Sequence, residues 1–205
     1  TAPYEVLSSH WLSYGEVRWL KSFEAVFGYY YNAGRCRRTA AYFIQWAEQG
    51  DAFRFYQRFT QYWEAHAYHQ QGHAVKSLYG YMADFCQTVY QASAGLLDNL
   101  LRLDALLADK GRIRPESLHW NREKYQSQTA AFWRGRQAQE YLPDFMFSNW
   151  RDLRGKYHIE FFDWRVLDGT EREIRQGRQV LLFDFTLPDV HCREIMIGEG
   201  AAHAV

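Results

Sequence analysis

"AGLLDNLLRLDALLADKG", residues 94–111, repeats leucine every three or four positions and then stops on a glycine. Leu96, Leu100, Leu103 and Leu107 share one side of an α-helix, and Gly111 supplies the left-handed position that ends it. A helix this apolar needs partners, and the chain before it provides them. Val75, Leu78, Met82, Phe85 and Val89 form a second stripe. Asp51 is placed to N-cap a helix with Tyr56, Phe59 and Trp63 on one face. Phe55, Phe59, Tyr62 and His66 lie on an adjacent face of that helix, so it is buried over a wide arc.

Further back, residues 37–48 read as a helix ending near Gly50. Ser13 and Glu16 match a capping box, in which each side chain satisfies the other's free amide. The helix they open carries Trp19, Phe23, Val26 and Tyr30 at helical spacing. It ends at "YYYNAGRC" (29–36), where Asn32 and Gly34 suit a C-terminus. Residues 1–111 therefore read as a compact bundle of five helices.

The second half changes character. "RIRPESLHW" (112–120) is a connector, and residues 121–141 read as a polar helix. "KYHIEFFDWRVL" (156–167) and "RQVLLFDFTL" (178–187) are rich in aromatic and branched residues, which is strand chemistry. Leu181, Phe183, Phe185 and Leu187 share one face by alternation, and Asp184 points to the other. "DGTEREIRQG" (168–177) serves as a long hairpin connection, "PYEVLSSHWLS" (3–13) is an extended lead-in, and "GEGAAHAV" (198–205) is a frayed tail. The expected fold is mainly α: a compact bundle of five to six helices with a small C-terminal β-hairpin or two-to-three-stranded sheet. Residues 1–111 form the bundle, and residues 112–205 form a helical connector and β-containing subdomain packed on it as one structural domain.

Composition narrows the function classes. The 24 Lys and Arg balance 24 Asp and Glu, so no net field draws the whole chain to nucleic acid or an anionic membrane. Aromatics make up 18%, and 23 of the 37 fall in the first 90 residues, which points to a core built from rings. Cys36, Cys86 and Cys192 are far apart and fit neither a disulfide framework nor a metal motif. A reducing, cytoplasmic setting follows. No apolar run reaches the length of a membrane span, and the opening "TAPYEVLSS" reads as part of a longer protein.

Three groups of residues carry possible chemistry. His66, His69 and His73 form an HxxHxxxH series, but Gly72 breaks the helix before the third ligand, so a solvated helix end outweighs a metal site. Asp163 and Asp184, one on each expected strand, are placed to work as a carboxylate pair only if the strands bring them together. Residues 35–38, "RCRR", follow Tyr29, Tyr30 and Tyr31, and basic residues beside rings can hold phosphates and stack on bases. No GxGxxG, GxxxxGK or nucleophile elbow occurs.

Several segments together resemble a known family. They are "PYEVLSS" (3–9), "SYGEVRWLK" (13–21), "YYYNAGR" (29–35), "FYQRFTQYWEAH" (55–66), "SLYGYM" (77–82) and "LLFDF" (181–185). They resemble the uncharacterised C-terminal domain that follows a cobalamin-binding domain and a radical-SAM barrel in a group of bacterial iron–sulfur proteins. There the third segment reads close to Y-Y-N-S-G-[RK]-F. Asn32, Gly34 and Arg35 keep that pattern, Ala33 replaces the serine, and Cys36 stands where an aromatic is usual.

The resemblance implies that S-adenosylmethionine, a [4Fe–4S] cluster and cobalamin belong to upstream domains of the same polypeptide, since this chain lacks CxxxCxxC. It implies a non-catalytic accessory role, capping the barrel or helping to select substrate, in a parent that is a radical-SAM enzyme. The chain itself then holds no catalytic, cofactor or metal residue, and Tyr30, Asn32 and Arg35 are the expected substrate or domain contacts. The competing reading is a helical nucleic-acid-binding module using residues 29–38, against which the zero net charge counts.

Overall fold

The structure, a computed structural model, describes residues 10–167 and 174–197. Residues 3–9 of the expected lead-in, most of the 168–177 connection and the tail from 198 lie outside the described residues. Five helices fill the first half, as the periodicity predicts: α1 (Tyr14–Phe27), α2 (Arg37–Trp46), α3 (Ala52–Ala65), α4 (Val75–Tyr90) and α5 (Ala94–Ala108). The capping box at Ser13 and Glu16 opens α1, and Asp51 accepts the Arg54 amide to open α3.

The end of α1 is less simple than a stop. Gly28–Asn32 continue it as a π-helical turn, closed by Ala33 N–H donating to Gly28 O at 3.2 Å. Gly34 then takes φ +66°, the left-handed position that turns the chain into α2. The expected α1 stripe also divides. Val26 and Tyr30 enter the core, whereas Trp19, Phe23 and Phe27 form a half-exposed ladder that Tyr31 extends.

The second half is a three-stranded antiparallel sheet in the order β1 (Tyr157–Trp164), β2 (Gln176–Asp184), β3 (His191–Glu194). β1 and β2 pair directly, with Tyr157 opposite Asp184 and Phe162 opposite Gln179. The polar helix expected over 121–141 is two, α6 (Gln126–Arg134) and α7 (Gln137–Tyr141), and a short α8 (Trp150–Leu153) follows. A Cβ at Gly135 would lie 2.9 Å from Ala131 O, so the break falls on a residue that has none.

α5 is the central element. Leu97, Leu101 and Ala105 join the aromatic core of α1–α4, while Leu96, Leu100, Leu103 and Leu106 pack on Phe162, Leu181, Phe183 and Phe185 of the sheet. Alternation predicts one inner face for β2, but both are covered. Val180 and Leu182 join Ile159 and Phe161 against Phe132, Trp133, Leu142 and Leu153 of the α6–α8 segment. Leu187 lies past the strand and is 40% exposed. The layers thus run bundle, α5, sheet, α6–α8. Among the described residues no helix is long and apolar enough to cross a membrane.

Candidate functional site

Residues 112–156 hold nine Arg or Lys against five Asp or Glu, a bias hidden by the neutral total. This segment folds over the outer face of the sheet and leaves a cleft of about 1270 Å³ against β1. The 112–122 connector supplies Arg112, Arg114 and Arg122 to it; α6 supplies Arg134; α8 and its exit supply Arg151 and Arg154. Lys110 stands at the edge, its ammonium donating to Leu187 O at 2.7 Å. No Asp or Glu is among the lining residues. Concentrating one sign of charge against a low-dielectric wall creates a strong local positive potential.

The walls are aromatic. Tyr125 stacks on Phe161 with ring centroids 4.0 Å apart, and the Arg134 guanidinium lies over Trp150 at 5.5 Å. Deeper in, Asn121 Nδ2 donates to Phe161 O at 2.6 Å, while its Oδ1 is buried with no hydrogen-bond partner among the described residues.

His158 and Arg114 form the floor. His158 Nε2 lies 2.7 Å from Glu160 Oε2, and Arg114 Nη2 lies 3.4 Å from His158 Nδ1. Burial pushes the imidazole below its ordinary range, although Glu160 pulls it the other way. The contacts agree with a neutral ring. Arg114 has only protons to give, so Nδ1 accepts and Nε2–H donates to Glu160.

Behind the floor a buried network ties the cleft to α5. Arg102, 2% exposed, donates through Nη1 to Glu160 at 2.5 Å and to Phe161 O at 3.0 Å. Its Nε reaches Asp98 at 3.0 Å, its Nη2 reaches Asn99 at 3.2 Å, and its plane covers Phe162 at 4.9 Å. A charge among the leucines of 94–111 is the signal that could have found it.

The residues singled out from sequence fall elsewhere. Tyr30 is 1% exposed and its hydroxyl donates to Leu78 O at 2.7 Å, so it belongs to the core. Tyr30→Phe is expected to cost about 1 kcal/mol in urea melts, the usual net worth of such a bond. Asn32 is exposed at the end of the π-turn, and half-buried Arg35 donates to Tyr29 O at 3.4 Å.

The platform of three rings expected beside Arg35, Arg37 and Arg38 does not form. Tyr29 is held by His73 at 3.0 Å, Tyr30 is buried, and Tyr31 alone of the three is exposed. His73 stacks on Trp63 and meets Tyr68 O at 2.9 Å through Nε2, while His66 caps α3 and stacks on Tyr62. Of the HxxHxxxH series, His73 therefore packs and His66 caps, while His69 is exposed beside Gln70. Asp163 and Asp184 sit at opposite ends of the β1–β2 ladder, about 20 Å apart at the usual rise. They do not form a pair.

The donor set does not fit an iron–sulfur cluster. Cys36 begins α2, Cys86 lies in α4 and Cys192 in β3, and burial pushes each thiol up, which disfavours the thiolate a metal needs. Among the described residues no three His, Cys, Asp or Glu side chains are placed to hold a metal ion.

Comparison with known proteins gives one family. A family model described as "Protein of unknown function (DUF4080)" matches residues 1–183. No curated protein and no solved structure matches the chain.

Proposed function

The chain belongs to the DUF4080 family, and we propose that it serves as a non-catalytic accessory domain of a larger cobalamin-type radical-SAM protein. In this reading it seats on the barrel in a reducing, cytoplasmic setting. S-adenosylmethionine, the [4Fe–4S] cluster and cobalamin are then held by the preceding domains of the same polypeptide. The quoted motifs support the family context, and one structural observation carries the docking role. Trp19, Phe23, Phe27 and Tyr31 form a continuous ring ladder along α1 and its π-turn, with successive centroids 5.4, 5.9 and 4.4 Å apart. Phe53 of α3 extends it sideways at 5.5 Å from Phe23, and Tyr31 and Phe53 are each 61% exposed.

Large rings left together at a surface are costly to hydrate and are typical of an interface centre. Covering them with the barrel would seal its open end and exclude water from a radical intermediate. Hydrogen exchange tests this: amides of residues 14–35 are expected to exchange at least roughly tenfold more slowly in the full polypeptide than in the 205-residue chain. The double variant Tyr31→Ser, Phe53→Ser is expected to remove that protection. Equal exchange in the two forms, or a full coding sequence without an upstream CxxxCxxC, overturns the reading.

A further inference from the structure

We propose that the cleft enclosed by the 112–122 connector, α6, α8 and β1 binds an organic phosphate of nucleotide size. This site is independent of the accessory-domain reading and is tested on the isolated chain.

The cleft holds positive charge that its own lining does not compensate. The segment carries five carboxylates, but none of them lines the cleft, and two are engaged elsewhere. Glu116 pairs with Lys76 at 3.4 Å, and Asp152 is held by Ser148 and the Asn149 amide in the capping box of α8. Arg122, Arg151 and Arg154 are exposed and have no carboxylate partner among the described residues. Like charges gathered in one concavity repel each other, and an anion relieves that repulsion.

The kind of charge favours phosphate. Arginine supplies six of the seven lysine and arginine charges in the lining, and a guanidinium fork matches phosphate oxygens in pairs. Arginines arriving from three separate elements can meet a polyphosphate from several sides, which a single carboxylate ligand would not use.

The walls suit an organic group attached to the phosphate. Trp150, 47% exposed beside Arg134, and half-buried Tyr125 offer ring surface to a planar group, while Phe161 lies buried behind Tyr125. The unpartnered Asn121 Oδ1 is a buried acceptor that calls for an N–H or O–H donor. A base amine or a sugar hydroxyl supplies one beside the phosphate-binding arginines. At about 1270 Å³ the cleft is also larger than a lone phosphate needs. A nucleic-acid strand fits less well, because the rest of a neutral chain must balance the cleft with negative charge.

Calorimetric titration of the 205-residue chain with ATP, pyrophosphate, adenosine and a short single-stranded RNA separates these cases. ATP is expected to bind at least tenfold tighter than either pyrophosphate or adenosine, and more weakly as salt is raised. Arg122→Gln and Arg154→Gln are each expected to weaken ATP binding roughly tenfold, the effect of one charge-assisted contact. Both side chains are exposed and unpaired among the described residues, so the variants are expected to melt like the parent, and Arg18→Gln on α1 is the control that leaves binding unchanged. ATP binding no tighter than adenosine, or unaffected by both substitutions, overturns the site. Pyrophosphate binding as tightly as ATP overturns the nucleotide-sized ligand, and RNA binding tenfold tighter than ATP overturns the small-molecule assignment.

Discussion

Replacing Arg102 with alanine is expected to lower the unfolding free energy by about 3–5 kcal/mol, the cost of stranding a buried charge. The guanidinium is the hub that joins α5 to the sheet. It faces Glu160, whose side chain is 1% exposed, and it also serves Asp98, Asn99 and the Phe161 carbonyl. Without it, the Glu160 carboxylate keeps only the His158 N–H and has no access to water. The effect comes mainly from that orphaned charge rather than from the lost attraction. Arg102→Met combined with Glu160→Met is therefore expected to recover much of the loss, because the fully buried carboxylate goes with its partner, while Asp98, less deeply buried, keeps the His119 amide. Urea unfolding of the two single variants and the double variant measures this. A double variant as unstable as the sum of the singles would falsify the account. The cleft floor offers a second readout, since His158 loses its Glu160 partner in the double variant and its imidazole resonances are expected to shift.

Asp104→Ala is the other large effect, about 3 kcal/mol, because three hydrogen bonds to a buried carboxylate are lost together. Asp104 lies on α5 but caps α2. Arg38 N–H donates to Oδ1 at 2.8 Å, while Thr39 N–H and Thr39 Oγ1 donate to Oδ2 at 2.9 and 2.7 Å. Cys36, the residue at the N-cap of α2, has a left-handed backbone and no side-chain cap, so the cap comes from 66 residues away. The pH dependence identifies the group. Burial pushes the Asp104 carboxyl up to about 6, against the hydrogen bonds that pull it down.

The folded state therefore holds this proton more tightly than the unfolded chain does between about 4 and 6. Stability from Asp104 is full below the unfolded value and is lost as pH rises through the folded one. His158 titrates with the opposite sign, since burial lowers its folded value and protonation favours the unfolded chain as pH falls. The difference between parent and Asp104→Ala stability profiles separates the two. It is expected to be largest near pH 4 and to shrink toward pH 6. A difference that grows across that range would show that the carboxyl is not raised.

Much of the bundle was legible in the sequence because helix periodicity and capping are local. Ser13 with Glu16, Asp51, and the leucines of α5 each act within four residues, and each element stands where that spacing placed it. The π-turn was not legible: the weak helix formers in "GYYYN" mark a helix end but not a wider turn, in which Tyr30 enters the core and Tyr31 reaches the ladder. The second covered face of β2 was hidden for a related reason. "VLLF" reads the same whether one layer or two lie against it, and the outer layer comes from α6–α8, where the apolar pattern is weak.

The cleft lay between these extremes. Its excess of arginine over 112–156 can be counted in the sequence, but whether those charges disperse into solvent or converge depends on how the segment returns over β1. Tyr30, Asn32 and Arg35 drew attention as a dense local cluster, and density along the chain does not say which side chains point inward. The sequence by itself determined the five helices of the first half and the two strands that pair, where α1, α2 and α3 begin, and that no CxxxCxxC is present. Tertiary structure alone decided that Arg102 meets Glu160 across 58 positions, that Asp104 caps α2, and that arginines from three elements face one space. Hydrogen bonding along a helix is set by neighbours in the chain. Ion pairs and clefts are set by distance in space, which the order of residues does not contain.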